Sequence, residues 1–286
     1  MDRTEFQIDG LNIYHFRASP ANYAILILHG TGGHGGCYDT YGFAHATLGA
    51  DVYAMDLPGH GRSRGRHGFW SMTDCLSSID IVAAHIKTTT GLPVFLLGSS
   101  QGSAFAYYAL NTSDSVAGSI TMGLAAFHLS PFKDAIAPLK SKEFDKMSKF
   151  FRNSLQIDLK KFLNIESDYG SPEVTQRLLA DPDMTWVYDL NSYRDLLIFE
   201  PDVKASENKR PMLVTVGEND RFMPPHYVKK LVDQIGGPVT FCEFKGAPHQ
   251  LMLERTSEFC QTVDSWVQSI LQTSQKAIAG GISFAK

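Results

Sequence analysis

Residues 94–110 constrain this chain more than any other stretch. Val94-Phe95-Leu96-Leu97 is an apolar run, Gly98-Ser99-Ser100-Gln101-Gly102 is a glycine-framed turn, and Ser103-Ala104-Phe105-Ala106-Tyr107-Tyr108-Ala109-Leu110 is a run of small and aromatic residues. The order reads strand, sharp turn, helix. It fits the G-x-S-x-G elbow, in which the middle serine sits on a strained turn and projects its hydroxyl out of a sheet. A Cβ at either glycine would collide with the neighbouring strand or helix. The helix that follows aims its N-terminus, with its N–H groups and positive dipole end, at that serine. Ser100 is therefore the candidate nucleophile.

The rest of the chain alternates in a way that suits such an elbow. Tyr23-Ala24-Ile25-Leu26-Ile27-Leu28 is apolar at every position, as expected of a strand covered on both faces. Val52–Met55, Val116–Met122, Pro211–Gly217 and Val239–Phe244 read as further strands. Helices are expected over Phe43–Leu48, Thr73–Thr88, His226–Ile235 and Thr256–Leu271. In the second of these Ile79, Val82, Ala83 and Ile86 share a face. Glu5–Ile8 and Leu11–Phe16, joined at Asp9-Gly10, read as a hairpin. The sum is an α/β chain with a mostly parallel central sheet, right-handed crossovers and flanking helices.

The texture changes between Leu124 and Ser206. Strand-like runs are scarce there and amphipathic helix patterns recur: Phe144, Met147, Phe151 and Leu155 on one face, Trp186, Leu190, Tyr193 and Leu197 on another. Ser171-Pro172 and Asp181-Pro182 mark turns between them. This predicts a helical cap at 124–206 inserted into a core made of 1–123 and 207–286. The tail from Gln272 is expected to be loosely held.

Composition removes several function classes. The 26 Lys and Arg against 30 Asp and Glu leave a net charge of -4, with no nucleic-acid footprint. The charged start leads into a strand without an apolar leader, and no run is long enough to span a bilayer, which points to the cytoplasm. Cys37, Cys75, Cys242 and Cys260 lack ligand spacing and read as free thiols in a reducing compartment. His29, His34, His60 and His67 read as turn histidines rather than metal ligands. Arg62, Arg64 and Arg66 read as a solvated loop. Lys140, Lys142, Lys146, Lys149 and Arg152 flank apolar cap residues; the expectation is a surface helix covering the pocket, with contact to an anionic lipid surface as the alternative.

A serine hydroxyl needs a base in contact, and the base needs an orienting partner. In open α/β sheets, sites gather at the carboxyl ends of strands. His249 follows the last predicted strand and Asp220 follows the one before it. Ser100, Asp220, His249 is the chain order of a triad built on such a sheet. Ser100 would attack, His249 would shuttle the proton, and Asp220 would orient the imidazole. Glu218 is the rival acid; Asp56 reads as a turn residue. The developing oxyanion needs fixed donors, and the backbone N–H groups of Gln101 and Thr31 are the candidates. Aromatic residues of the insertion, Phe127, Trp186, Tyr188, Tyr193 and Phe199, would meet an apolar acyl or aryl group, with Trp186, Tyr193 and Phe127 foremost.

Leu28-His29-Gly30-Thr31-Gly32-Gly33, Asp56-Leu57-Pro58-Gly59-His60-Gly61-Arg62-Ser63, Gly98-Ser99-Ser100-Gln101-Gly102 and Gly217-Glu218-Asn219-Asp220-Arg221 together resemble the α/β-hydrolase superfamily. Val52–Asp56 followed by Gly-His-Gly-Arg-Ser is similar to its monoacylglycerol lipase and lysophospholipase (serine aminopeptidase-like) branch. The resemblance implies an α/β-hydrolase fold and a serine hydrolase cleaving carboxylic monoesters through an acyl-enzyme, with no cofactor and a small-molecule ester as partner. It is departed from at Ser99, Gln101 and Ser103, where the branch usually carries His, a hydrophobic residue and Gly. Serine at the nucleophile position argues against dehalogenase or epoxide hydrolase chemistry. Peptidase, thioesterase, lactonase, carbon–carbon hydrolase and acyltransferase reactions remain open on the same triad, as does a non-catalytic receptor. Oligomeric state is open too.

Overall fold

The computed structural model describes residues 3–150, 155–161 and 171–279. β1 (Arg3–Ile8) and β2 (Leu11–Phe16) form the expected antiparallel hairpin, with Ile8 opposite Leu11. Asp9 and Gly10 both adopt positive φ, 51° and 72°, as the two-residue turn between right-twisted strands requires. β3 (Tyr23–Leu28), α1 (Asp39–Ala46), β4 (Ala50–Met55), α2 (Met72–Thr90), β5 (Val94–Ser99), α3 (Gly102–Leu110) and β6 (Val116–Met122) follow. The eight-stranded sheet has the order β1-β2-β4-β3-β5-β6, then β9 (Met212–Gly217) and β10 (Val239–Phe244). Pairings from β4 to β10 are parallel, while β1–β2 and β2–β4 are antiparallel.

β3 shows why these strands read as unbroken apolar runs. Ala24, Leu26 and Leu28 pack into the core on one face, with Ile79, Val82, Ala83 and Ile86 of α2. Tyr23, Ile25 and Ile27 pack into the core on the other, with Phe259, Val263 and Val267. Alternate residues feed opposite layers, so both sets must be apolar. α2 is capped by the Ser71 side chain, which accepts from Asp74 N–H, and ends at Gly91 with φ of 72°.

Between β6 and β9 lies the insertion. It holds α4 (Phe132–Ile136), α5 (Lys142–Phe150), β7 (Gln156–Asp158), α6 (Pro172–Ala180), β8 (Val187–Asp189) and α7 (Leu190–Ile198). β7 and β8 pair antiparallel as a small second sheet, which the helical patterns do not anticipate. Trp186 therefore stands ahead of β8 and not on a helix with Tyr193. The helix starts later because Asp189 caps it, its Oδ1 accepting from Asn191 and Ser192 N–H. α5 buries none of its residues, and Phe150 is 82% exposed. Phe151 and Arg152 lie outside the described residues; Leu155 is described and stands beyond α5. After β9 come α8 (Pro225–Val232), then, past β10, α9 (Leu251–Glu254) and α10 (Thr256–Ala279). α10 runs through residues expected to be a loose tail, and residues 280–286 lie outside the described residues. Among the described residues, no helix is long and apolar enough to cross a membrane.

Candidate active site

Three glycines shape the elbow. A Cβ on Gly98 would stand 2.3 Å from Gly102 O, and one on Gly102 would stand 2.1 Å from Leu28 O. A Cβ on Gly30 would approach Ser99 O to 3.1 Å and Ser100 Cβ to 3.3 Å. Turn, helix and the loop after β3 are thus pressed together through bare backbone. Ser100 itself has φ of 52°, one of two positive-φ non-glycine residues among those described. Such a conformation costs about 1–2 kcal/mol and persists only where surroundings enforce it. Here Ser100 N–H donates to Met122 O at 3.0 Å and Ser103 N–H donates to Ser100 O at 2.9 Å. Gly102→Ala is expected to force the elbow off β3, lowering the unfolding midpoint in urea and abolishing turnover; a variant with wild-type stability would contradict this close approach.

The loops after β9 and β10 meet the elbow. A Cβ on Gly217 would sit 2.2 Å from Pro248 O, so the loop carrying His249 crosses directly over the end of β9. His249 Nε2 lies 2.9 Å from Ser100 Oγ, and His249 Nδ1 lies 2.7 Å from Asp220 Oδ2. The second carboxylate oxygen of Asp220 accepts from the N–H groups of Phe222 and Met223, both at 2.9 Å. The carboxylate is therefore held from both ends. Asp220 and His249 are buried, at 4% and 6% exposure. The Phe222 ring lies 5.0 Å from the imidazole. Glu218, the rival acid, turns away and accepts from Gly246 N–H at 2.7 Å.

The loop after β3 faces the same serine. Leu57 N–H donates to His29 Nε2 at 3.1 Å, so the ring proton is on Nδ1, which donates to Gly30 O at 3.0 Å. Burial pushes the His29 pKa down and keeps the ring neutral. Thr31 Oγ1 donates to Gln101 Oε1 at 2.7 Å, and Tyr193 Oη donates to the same oxygen at 3.2 Å. The Gln101 side chain thus ties the β3 loop to α7 of the insertion. Ser103, where glycine was the expected family residue, accepts Ala125 N–H at 2.9 Å and anchors the insertion's first residues. Asp56 is indeed a turn residue: its carboxylate accepts from Gly35 N–H at 2.6 Å and Arg62 N–H at 2.9 Å.

A cleft of about 210 Å³ opens over Ser100 and His249. Its apolar wall comes from Leu159, Leu178, Met184, Phe222 and Leu253, and Thr31, Cys37, Tyr38 and Tyr193 line it as well. Of the aromatic residues expected to meet substrate, Tyr193 lines the cleft and Phe127, Trp186, Tyr188 and Phe199 do not. Trp186 covers Gly32, where an added Cβ would meet its ring at 3.4 Å, and carries Lys160 Nζ 5.2 Å above its face. Phe127 packs on Phe132, ring centres 5.2 Å apart. α5, expected to cover the pocket, contributes nothing to the cleft wall among the described residues; α6 and the 3₁₀ turn at Leu159 do so instead. Leu178, Met184 and Phe222 left no mark in the sequence, since each is an ordinary apolar residue until the fold turns it inward.

The histidines and arginines of the loops have structural partners. His34 Nδ1 accepts from Gly36 N–H at 3.1 Å and Nε2 donates to Asp181 Oδ2 at 3.0 Å. Cys37, His34 and Asp181 bring ligand-type atoms within 4.8 Å of one another, with the imidazole already in contact with Gly36 N–H and the Asp181 carboxylate. Cys37 Sγ donates to Met184 Sδ at 3.7 Å. Arg62 bonds Glu5 and Asp183, Arg64 bonds Asp74, and Arg66 lies 3.9 Å over the Phe69 ring.

A family model described as serine aminopeptidase, S33, matches residues 19–256. The chain belongs to that family. The S33 core explains the fold: a monoacylglycerol lipase from Paleococcus ferrophilus superposes with a TM-score of 0.70 at 23% identity, covering 94% of this chain and 100% of its own. A carboxyl esterase from Bacillus coagulans superposes with a TM-score of 0.70 at 18% identity, covering 94% and 98%. Both show the α/β-hydrolase fold. In sequence, a monoglyceride lipase homolog of Monkeypox virus is 34% identical over 111 residues, 36% of this chain and 40% of its own length. Human monoglyceride lipase is 39% identical over 89 residues, 29% of this chain and 28% of its own. The matched stretches thus cover well under half of these curated relatives.

Proposed function

We propose that this S33 protein is a serine hydrolase that cleaves carboxylic esters, with Ser100 as nucleophile, His249 as general base and acid, and Asp220 as its orienting partner. The observation that carries the proposal is the continuous chain Ser100 Oγ, His249 Nε2, His249 Nδ1, Asp220 Oδ2 at 2.9 and 2.7 Å, seated on a strained elbow beneath an apolar cleft. Ser100 Oγ adds to the ester carbonyl as its proton passes to His249 Nε2. The carbonyl oxygen gains charge facing the N–H groups of Thr31 and Gln101. The tetrahedral adduct collapses, the alcohol leaves with the proton from His249, and water then repeats the sequence on the acyl-enzyme.

The cleft supports a substrate class. About 210 Å³ is small against the roughly 300–1,000 Å³ of sites for drug-sized ligands. Its lining is largely apolar, which suits an acyl chain of short to medium length in a lipid-like or alkyl monoester. The relatives named as monoglyceride lipases support the same class. An aminopeptidase would need an acid to receive the free amine of its substrate; among the described residues lining the cleft there is no carboxylate. In this reading 124–206 forms a cap on a core of 1–123 and 207–286, and the protein works in the cytoplasm, where its four free thiols stay reduced.

The test is turnover across p-nitrophenyl esters of rising chain length, with labelling by a fluorophosphonate. The expected result is a rate maximum at short to medium acyl chains and a label on Ser100. Full labelling without ester turnover would move the reading to another acyl-transfer reaction on the same serine. Absence of both would end the hydrolase reading.

A further inference from the structure

We propose that Tyr188, on β8 of the insertion, is a positioning residue for the Gly30–Gly33 loop that presents Thr31 N–H to the oxyanion. This rests on the ester-hydrolase reading and adds to it a residue outside the core sheet.

The loop is held through its backbone at successive points. Gly30 N–H donates to Tyr38 Oη at 3.1 Å. Gly30 O accepts from His29 Nδ1 at 3.0 Å and from Gly33 N–H at 3.1 Å. Because the peptide is planar and trans, Thr31 N–H points opposite to Gly30 C=O. Whatever sets that carbonyl therefore aims the donor. Immediately after Thr31 the core's own contacts give way to the insertion. Gly32 N–H donates to Tyr188 Oη at 2.9 Å, and Gly32 O accepts from Thr185 N–H at 2.8 Å.

Tyr188 is itself fixed. Its side chain is fully buried, and its hydroxyl lies 3.0 Å from His60 Nε2. His60 Nδ1 lies 3.0 Å from Pro58 O, an acceptor only, so the ring proton sits on Nδ1 and Nε2 accepts. The relay then has one direction: Gly32 N–H to Tyr188 oxygen, Tyr188 O–H to His60 Nε2, His60 Nδ1–H to Pro58 O. Burial holds the His60 pKa down at about 4, so the acceptor persists through neutral pH. β8 is bolted to the core further along, where Asp189 N–H donates to Gly68 O at 2.9 Å. A Cβ on Gly68 would meet Val187 O at 2.1 Å. The β8 arm is thus tied to the core beside the loop and forms part of the frame that aims the oxyanion donor.

The experiment is Tyr188→Phe, which keeps the ring and removes the oxygen, with His60→Gln as a second variant that keeps an acceptor in altered geometry. For a short p-nitrophenyl ester, kcat is expected to fall by about 10- to 100-fold in Tyr188→Phe, part of what loss of a whole oxyanion donor costs, with KM within about twofold. Affinity for a trifluoromethyl ketone, which forms a charged tetrahedral adduct, should weaken in step with kcat. His60→Gln should show the same split to a smaller degree, and it carries the test if Tyr188→Phe does not fold. A purely structural role would lower Tm without separating kcat and ketone affinity from KM. A folded variant with wild-type kcat and ketone affinity overturns the inference while leaving the hydrolase reading intact. A wild type that turns over no ester, or a Ser100→Ala protein that does so normally, overturns the hydrolase reading and this inference with it.

Discussion

A Ser100→Ala protein is expected to lose ester turnover by about 10⁴-fold or more while keeping its fold. The two halves of that expectation have separate causes. Ser100 occupies a positive-φ position, at 52°, and alanine bears the same Cβ there, so the backbone strain is unchanged. The hydroxyl's hydrogen-bond partner is His249 Nε2 at 2.9 Å, at the partly open floor of the cleft, so losing it costs little stability. In the proposed mechanism, by contrast, chemistry loses the atom that forms the acyl bond. What survives is the contribution of the oxyanion donors acting on direct attack by water, which the hydroxyl's absence does not touch. Asp220→Asn is expected to fall by about 10⁴-fold with KM little changed, because an amide cannot hold the imidazole tautomer that accepts from Ser100. Glu218→Gln should stay within a few-fold of wild type, since Glu218 engages Gly246 N–H and not His249. Steady-state kinetics on one short ester with thermal melts for each variant read all three. A Glu218→Gln protein as inactive as Asp220→Asn would reassign the acid.

Acid should unfold this protein through histidines that carry no charge in the native state. Burial holds His45 and His60 down at about 4 from an ordinary 6.5. The hydrogen bonds agree with neutral rings. Tyr23 Oη donates to Asp264 at 2.8 Å, so it accepts from His45 Nε2–H, and His45 Nδ1 accepts from Tyr41 Oη at 2.6 Å. The sign follows from proton counting. Below pH 6.5 the unfolded chain binds protons at these positions and the native state does not, so stability falls as pH falls. The contribution is whole above about pH 6.5 and is lost progressively down to about pH 4. Each ring accounts for about 3 kcal/mol across that window, a large share of a typical total of roughly 5–15 kcal/mol. Urea midpoints at pH 7.5, 6 and 4.5 should fall steeply, with net proton uptake on unfolding in the lower range. A midpoint that is flat from pH 7.5 to 4.5 would show that the rings are charged in the native protein. Native His60 keeps accepting from Tyr188 down to about pH 4, so its protonation should reach turnover only near that pH.

The positions of Ser100, Asp220 and His249 were legible because each stands just past a strand-like run in a sheet whose parallel order follows from unbroken apolarity. Carboxyl ends of parallel strands lie on one edge, so three residues far apart in sequence have a common destination. The hairpin at Asp9-Gly10 was legible for a local reason, the two positive-φ positions. The small β7–β8 sheet was not, because three-residue strands are too short to carry a period of two. Trp186 and Tyr193 looked like one helical face because their spacing fits; Asp189 caps the helix after Trp186 and separates them.

The elements, their parallel order and the ends on which chemistry collects follow from local patterns: apolar alternation, glycine at close approaches, and turn residues at chain reversals. These are properties of neighbours along the chain. Packing between distant segments settled the rest. It put Leu178, Met184 and Phe222 around Ser100, left Phe127 and Trp186 outside the cleft wall, and set Tyr188 against Gly32. An apolar or aromatic side chain reads the same at every such position until the insertion is laid on the core, because burial and hydrogen-bond partners are set by distance in space and not by separation in sequence.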